Sequence, residues 1–208
     1  MRHRGYVGPA EVFDSTGRYC FDLLKNLNLE SHHKLLDVGC GGLRTGKFLI
    51  QYLNAGNYTG VEPEAYVVES AKKYEIGCEI LESKKPNFSH QSNFDFKGLP
   101  IQDFIFCFDV FYHCGKDQLA VFLENIKHIS NFKTKIIVSV MFANGNPHET
   151  TEGLYKYKYA SHSNVYYEIQ EFTDLANKFG YECKLLNENE KRFFSLRLIF
   201  LLEKSIKF

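Results

Sequence analysis

The chain has no tryptophan, no net charge and no long apolar run. Lys plus Arg and Asp plus Glu both number 25 over 208 residues. A neutral chain lacks the electrostatic footprint of a general nucleic-acid binder. Lys156 and Lys158 are its single candidate for a local basic patch. No stretch approaches the ~20 apolar residues needed to cross a bilayer. The start, Met1-Arg2-His3-Arg4-Gly5, has no apolar core of a signal peptide. The six cysteines include no C-x-x-C pair, which argues against a zinc site, and several fall inside apolar runs where Cys acts as a small hydrophobe. The expectation is a cytoplasmic protein with free thiols, no bound metal, no membrane segment and no nucleic-acid partner.

Hydrophobic residues at 44% supply a full core, and the length suits one domain, 1–208, or one domain with a small appendage. Residues 1–18, with Gly5, Gly8, Pro9 and Gly17, read as an irregular lead-in, and a short helix follows from Tyr19. Residues 1–30 thus form a lid-like lead-in. Leu35 to Val38 is a compact apolar run ending in glycines, the signature of a buried strand entering a tight turn. Leu43 to Leu53 is a helix, Tyr58 to Glu62 a second strand, Ala65 to Tyr74 a second helix, and Cys78 to Leu81 a third strand. Residues 83–100 are polar and resist placement. Phe104 to Phe111 and Lys135 to Phe142 are strands around a helix from Gln118 to Ile129. Glu168 to Phe179 is a helix closed by Gly180, and Tyr181 to Leu186 and Phe193 to Leu202 are a closing pair of strands. Strands alternating with helices at this spacing call for an α/β fold with a mostly parallel sheet and helices on both faces.

An open α/β sheet binds ligands at the carboxyl ends of its strands. The first such end is Asp37-Val38-Gly39-Cys40-Gly41-Gly42. Its glycines allow a sharp turn and a close approach of backbone to ligand. A dinucleotide fold would use G-x-G-x-x-G, but here Gly39-x-Gly41 is followed by Leu43 and Arg44, without the third glycine. An acid two residues before the first glycine would repel a pyrophosphate. It suits a ligand with an ammonium group, and S-adenosylmethionine carries both an amino group and a sulfonium. The second strand ends on Glu62, 21 positions beyond Gly41, where a carboxylate can accept hydrogen bonds from both ribose hydroxyls. Arg44 has two readings: pairing with a ligand carboxylate or phosphate, or bracing the N-terminal segment through Asp14 or Glu11.

Leu35 to Pro63 resembles motifs I and II of class I S-adenosylmethionine-dependent methyltransferases. Asp37-Val-Gly-Cys-Gly-Gly-Leu-Arg44-Thr-Gly46, Leu49-Ile-Gln-Tyr-Leu53 and Tyr58-Thr-Gly-Val-Glu62-Pro63 are similar to a bacterial subgroup that accompanies glycan and capsule biosynthesis. Val7-Gly8-Pro9 with Phe13 and Gly17, Phe108-Asp-Val-Phe-Tyr-His113, and Tyr166 to Gly180 extend the likeness over most of the chain. The resemblance implies a Rossmann-like three-layer αβα sandwich, with a seven-stranded sheet ordered 3-2-1-4-5-7-6 and the last strand antiparallel. It implies that Asp37, Gly39, Cys40 and Gly41 line the methionine end of the cofactor. Glu62, followed by Pro63, would hold the ribose, and the backbone at Phe108 and Asp109 would face the cofactor's amino group. Asn93 and Asp95 are candidates for the adenine amine.

The acceptor side is less defined. His113 follows the fourth strand and is the first candidate for a general base or acceptor orienter, against a capping or packing role; Tyr112 and Asp109 are alternatives. The polar, Tyr-rich stretch over 143–167 includes Ala143 to His148, Tyr155-Lys-Tyr-Lys-Tyr159, His162, Tyr166 and Tyr167. It reads as a substrate-side insertion, or as a β-hairpin with solvated lysines. The leading expectation is methyl transfer to oxygen of a small molecule: a sugar, a nucleotide-linked precursor, or a phosphoramidate-type substituent of a surface polysaccharide. S-adenosylhomocysteine would be the by-product. A protein or RNA methyltransferase, a non-catalytic cofactor-binding module and a nicotinamide oxidoreductase are the alternatives.

Overall fold

A computed structural model describes residues 2–143, 165–186 and 197–205. The Tyr155 to Tyr159 alternation, Lys156, Lys158, His162 and most of the Ala143 to His148 loop lie outside them. The chain divides into two compact units, Met1–Ser92 and Asn93–Phe208.

The first unit runs α1 (Arg2–Tyr6), α2 (Phe13–Asn26), β1 (Leu35–Val38), α3 (Gly46–Tyr52), β2 (Tyr58–Val61), α4 (Ala65–Ala71), α5 (Cys78–Lys84) and β3 (Asn87–Ser89). Its strands are parallel in the order β3-β2-β1, with Leu35 opposite Tyr58 and Thr59 opposite Asn87. Every residue of β1 is buried, as expected for a strand covered on both faces.

Two expectations change here. The lead-in is largely helical, and the helix expected from Tyr19 begins at Phe13. Phe13, Thr16, Gly17, Cys20 and Leu24 repeat at three- and four-residue spacing and form its buried stripe. Gly17 therefore marks a close approach within a helix: a Cβ there would meet the carbonyl of Arg44. The helix stops where Asn28 turns left-handed, at φ 64°. The strand expected over Cys78 to Leu81 is instead the start of α5, and the third strand is Asn87–Ser89. Cys78, Glu79, Glu82 and Ser83 are exposed, while Ile80 and Leu81 are partly covered. A short run with two apolar residues has no periodicity strong enough to separate strand from helix.

The second unit runs β4 (Phe104–Cys107), α6 (Lys116–Asn125), β5 (Lys135–Phe142), β6 (Tyr166–Tyr167), α7 (Ile169–Lys178), β7 (Tyr181–Leu185) and β8 (Arg197–Lys204). β4 is parallel to β5, while β8 is antiparallel to both β5 and β7, giving the order β4-β5-β8-β7. Without the two-residue β6, the strand orders within the two units are the two parts of the expected 3-2-1-4-5-7-6, and the last strand is antiparallel. The fold is Rossmann-like α/β. β4 ends earlier than expected, because Asp109 takes a left-handed φ of 62° and turns the chain out of the sheet. α7 packs on β8 through Phe172 stacked on Phe200, with centroids 4.3 Å apart.

Gly17→Ala tests the helix contact in the first unit. Alanine favours a helix by about 1 kcal/mol over glycine. Overpacking against the Arg44 carbonyl should outweigh that gain and leave the variant destabilised by about 1–3 kcal/mol in urea unfolding. A more stable variant would show that α2 does not make this contact.

Candidate functional site

β1 runs straight into a loop built from unusual backbone angles. Gly39 and Gly41 have φ of 72° and 49°, and Leu43, a residue that rarely adopts them, has 58°. The amides of Gly39 and Cys40 both donate to the carbonyl of Val61, at 2.8 and 3.1 Å. This fixes the loop to the end of β2. Gly41 and its neighbour Gly42 cannot be replaced cheaply: a Cβ on Gly41 would meet Val7, and one on Gly42 would meet the carbonyl of His3. The N-terminal segment thus lies directly over the turn.

Glu62, the residue after β2, is 5% exposed. Its Oε2 accepts from the Gly41 amide at 3.2 Å; its Oε1 accepts from the Glu64 amide at 3.1 Å and the Tyr6 hydroxyl at 3.0 Å. The loop and the acid that sequence reading paired are therefore joined by a hydrogen bond. Burial pushes the Glu62 carboxyl upward, and the Glu64, Tyr6 and Gly41 hydrogen bonds pull it back.

Asp37 is 3% exposed and accepts from the Tyr58 hydroxyl at 2.7 Å. Burial raises its carboxyl to about 7, while the Tyr58 hydrogen bond and the charge of Arg44 act in the opposite sense. Cys40 is buried, and its thiol is held well above the usual range by burial and by the charges of Asp37 and Glu62, so it is no nucleophile. Pro63 is half-buried beside Glu62. Arg44 braces the N-terminal segment, but through the Val7 carbonyl at 2.9 Å, while Asp14 takes Arg4 and Lys47.

In the second unit, Phe108 is buried after β4. The Asp109 amide donates to Ser139 Oγ at 2.8 Å, and its carboxylate accepts from Arg197 Nε at 2.5 Å. His113 is half-buried in the turn that follows, with its amide on the Val110 carbonyl at 2.9 Å. Burial lowers the affinity of its ring for a proton, with Asp109 opposing, so it is neutral near pH 7. Tyr112 lies edge-on to His113 and to Tyr166, with centroids 4.9 and 6.0 Å away. Asn93 and Asp95 are exposed, and their side chains accept from the amides of Asp95 and Lys97 in local turns. Among the described residues, no group of three or more His, Cys, Asp or Glu could hold a metal ion, and no helix is long and apolar enough to cross a membrane.

Residues 36–131 match a family described as a methyltransferase domain. No curated protein matches the chain. Among solved structures it is similar to the DhpI–SAH complex, at 13% identity and a TM-score of 0.67 over 94% of this chain and 88% of that one. It is also similar to magnesium protoporphyrin IX methyltransferase (ChlM) from Synechocystis PCC 6803 with bound SAM, at 14% and 0.62 over 92% and 79%. Human N-acetylserotonin methyltransferase (ASMT) in complex with SAM gives 18% and 0.64 over 94% and 53%. At these identities the likeness is one of fold.

Sequence reading missed the partners of the acids. Tyr58 was visible only as a strand residue and Arg197 only as the middle of an expected strand. Tyr6 lies ahead of the matched segment, in a lead-in read as irregular. Its sequence signal was the neighbouring Val7-Gly8-Pro9, which marked the segment but not the hydroxyl.

The buried Asp37 should set a pH dependence of stability. Its folded pKa of about 7 lies above the ordinary 3.8, so the unfolded chain releases this proton first. The stability contributed is complete below about pH 4, falls as pH rises toward 7, and is level above that. Asp37→Asn keeps an acceptor for Tyr58 and removes the titration. The melting temperature of the variant should gain on the native protein, by an amount on the order of a few degrees, between pH 5 and pH 8. A difference that stays constant with pH would contradict this account of Asp37.

Proposed function

We propose that the chain, acting as one catalytic domain over 1–208, transfers a methyl group from S-adenosylmethionine to a small-molecule acceptor. The observation that carries this reading is the buried Glu62 carboxylate, bonded to the Gly41 amide at the mouth of the glycine turn. A carboxylate held in this way suits a ribose diol and would oppose a phosphate. The left-handed glycines bring bare backbone to the same place. Gly39, Cys40 and Gly41 would line the methionine end, with Asp37 supporting the turn from β1 through Tyr58. Glu62 and Pro63 would hold the ribose, and the backbone at Phe108 and Asp109 the amino group.

When bound, the cofactor supplies an electrophilic methyl on its sulfonium. Phe108 and Asp109 would position, with Asp109 kept in its strained conformation by Ser139 and Arg197. His113 would accept the acceptor's proton, because a neutral, half-buried imidazole near pH 7 is matched to that task. The acceptor we favour is an oxygen of a sugar, a nucleotide-linked sugar or a phosphoramidate-type substituent in surface polysaccharide biosynthesis, in the cytoplasm. The bacterial resemblance of Asp37 to Pro63 supports that class. ChlM and N-acetylserotonin methyltransferase are both named for small-molecule acceptors, which supports the broader claim.

Calorimetry with S-adenosylmethionine, S-adenosylhomocysteine and NAD tests the donor. Both methionine-derived ligands should bind and NAD should not; NAD binding alone would overturn the proposal. Glu62→Gln should weaken S-adenosylhomocysteine by about tenfold or more, equivalent to about 1.4 kcal/mol. For the chemical step, His113→Ala should lower kcat by roughly 10²–10⁴ at saturating acceptor. Unchanged turnover would remove His113 from the mechanism, and tight donor binding with no turnover on any acceptor would point to a binding module.

A further inference from the structure

The N-terminal segment is held to the first unit by polar contacts more than by apolar burial. His3 is 1% exposed, with Nδ1 3.0 Å from Ser70 Oγ and Nε2 2.8 Å from Glu75 Oε1. Arg4 Nε donates to the same Glu75 oxygen at 2.6 Å, and Arg4 Nη2 donates to Glu75 Oε2 at 2.8 Å. Lys47, on α3, adds a second cation at 3.3 Å. Burial alone would raise the Glu75 carboxyl, but hydrogen bonds from Arg4, His3 and Lys47 hold it at about 2, so it is ionised at neutral pH. Glu75 lies in the π turn Lys72–Ile76 that continues α4. One acid thus ties the segment to α3 and to the end of α4 at once.

The rest of the segment is held more lightly. Tyr6 donates to Glu62, Arg44 to the Val7 carbonyl, and Arg4 to Asp14. Tyr6 and Val7 are half-buried, and residues 8–12 are exposed. Gly8 has a φ of 116°, a backbone state that glycine adopts freely, so a pivot stands where the segment ends. Few buried apolar contacts beside an exposed connection place a segment at the low end of local stability. It can therefore open as a unit while the rest of the unit stays folded. What it covers is the glycine turn: Val7 stands against Gly41, and the His3 carbonyl against Gly42.

We propose that residues 2–7 are a strap across the glycine turn, latched by Glu75, and that unlatching it at Gly8 sets how fast the cofactor enters and leaves. Glu75 is a positioning residue, acting only through the place of the strap. The strap is the same obstacle to entry and to exit. A weaker latch therefore speeds both directions and leaves the binding equilibrium nearly unchanged. The latch is ionic, so salt weakens it. This rests on the glycine turn holding S-adenosylmethionine, as proposed above.

Surface plasmon resonance of S-adenosylhomocysteine on the full chain, attached through its C terminus, reads both rates. Raising the salt from about 0.1 M to about 1 M shortens the screening length from about 10 Å to about 3 Å. On the native protein this should speed association and dissociation together by about 3- to 10-fold, with the dissociation constant held within about twofold. Arg4→Gln removes the cation that meets both Glu75 oxygens. At low salt it should already exchange as fast as the native protein at high salt, and it should respond little to further salt. Glu75→Gln should behave in the same way. Rates indifferent to salt and to both variants would take the strap off the cofactor's path. Faster dissociation without faster association would make the segment a wall of the bound site and overturn the latch. Either result leaves the donor reading intact, whereas a native protein that does not bind S-adenosylhomocysteine overturns both. If a variant fails to fold, the salt response of the native protein decides.

Discussion

The bond from the Gly41 amide to Glu62 is the constraint on which the site depends. It joins the turn after β1 to the end of β2, and it does so with a buried charge. A carboxylate with 5% exposure must be surrounded by donors, since an uncompensated buried charge costs several kcal/mol. The glycine turn supplies one donor, the chain after Glu62 a second, and the N-terminal segment the third. The turn's backbone angles follow from the same need: Gly41 can aim its amide at Glu62 only from a left-handed φ that glycine adopts without strain. Folding of the turn, burial of the acid and placement of the lead-in are thus one arrangement.

The two buried acids beside the glycine turn show how burial separates roles. Asp37 and Glu62 are both nearly inaccessible, yet Asp37 faces one tyrosine hydroxyl and is raised to about 7, while Glu62 faces three donors. An acid supported by one neutral hydroxyl is close to its neutral form and acts as a structural link between β1 and β2. In Glu62, too, burial raises the carboxyl, but several donors oppose that shift and favour the charged form, the better acceptor of hydrogen bonds. The sequence motif treats Asp37 as a partner of an ammonium group. The geometry gives it first to Tyr58.

How much of this was legible in the sequence depends on the range of the interaction. β5 was read to the residue, because eight residues of a β-branched apolar run admit one interpretation. The turn at Gly39 and Gly41 and the acid at Glu62 were legible too, since strand ends and glycine spacing are local signals. α5 was misread as a strand because its seven residues bury little and show no clear period. In the sequence Gly17 reads as a breaker and puts the start of α2 six residues late, whereas it is a contact point on the buried stripe. Tyr6, Glu75 and Arg197 were beyond reach for a common reason. Their partners lie 56, 71 and 88 positions away, and no local pattern records such a pairing.

Those long-range contacts also explain why a lead-in can be ordered at all. α1 has five residues, well below the ~12–15 at which an isolated helix becomes even marginally stable in water. Its order must come from tertiary contacts, and these concentrate on one carboxylate. Glu75 collects the His3 ring together with Arg4 and Lys47, so a single acid holds two cations that would otherwise repel one another. The arrangement couples distant parts of the unit: Arg4 and Lys47 also share Asp14 on α2, and Arg44 grips the segment at Val7. A short segment pinned at His3, Arg4 and Val7 leaves the intervening Tyr6 little freedom. The geometry at Glu62 is therefore set as much by charges on α3 and after α4 as by the glycine turn itself.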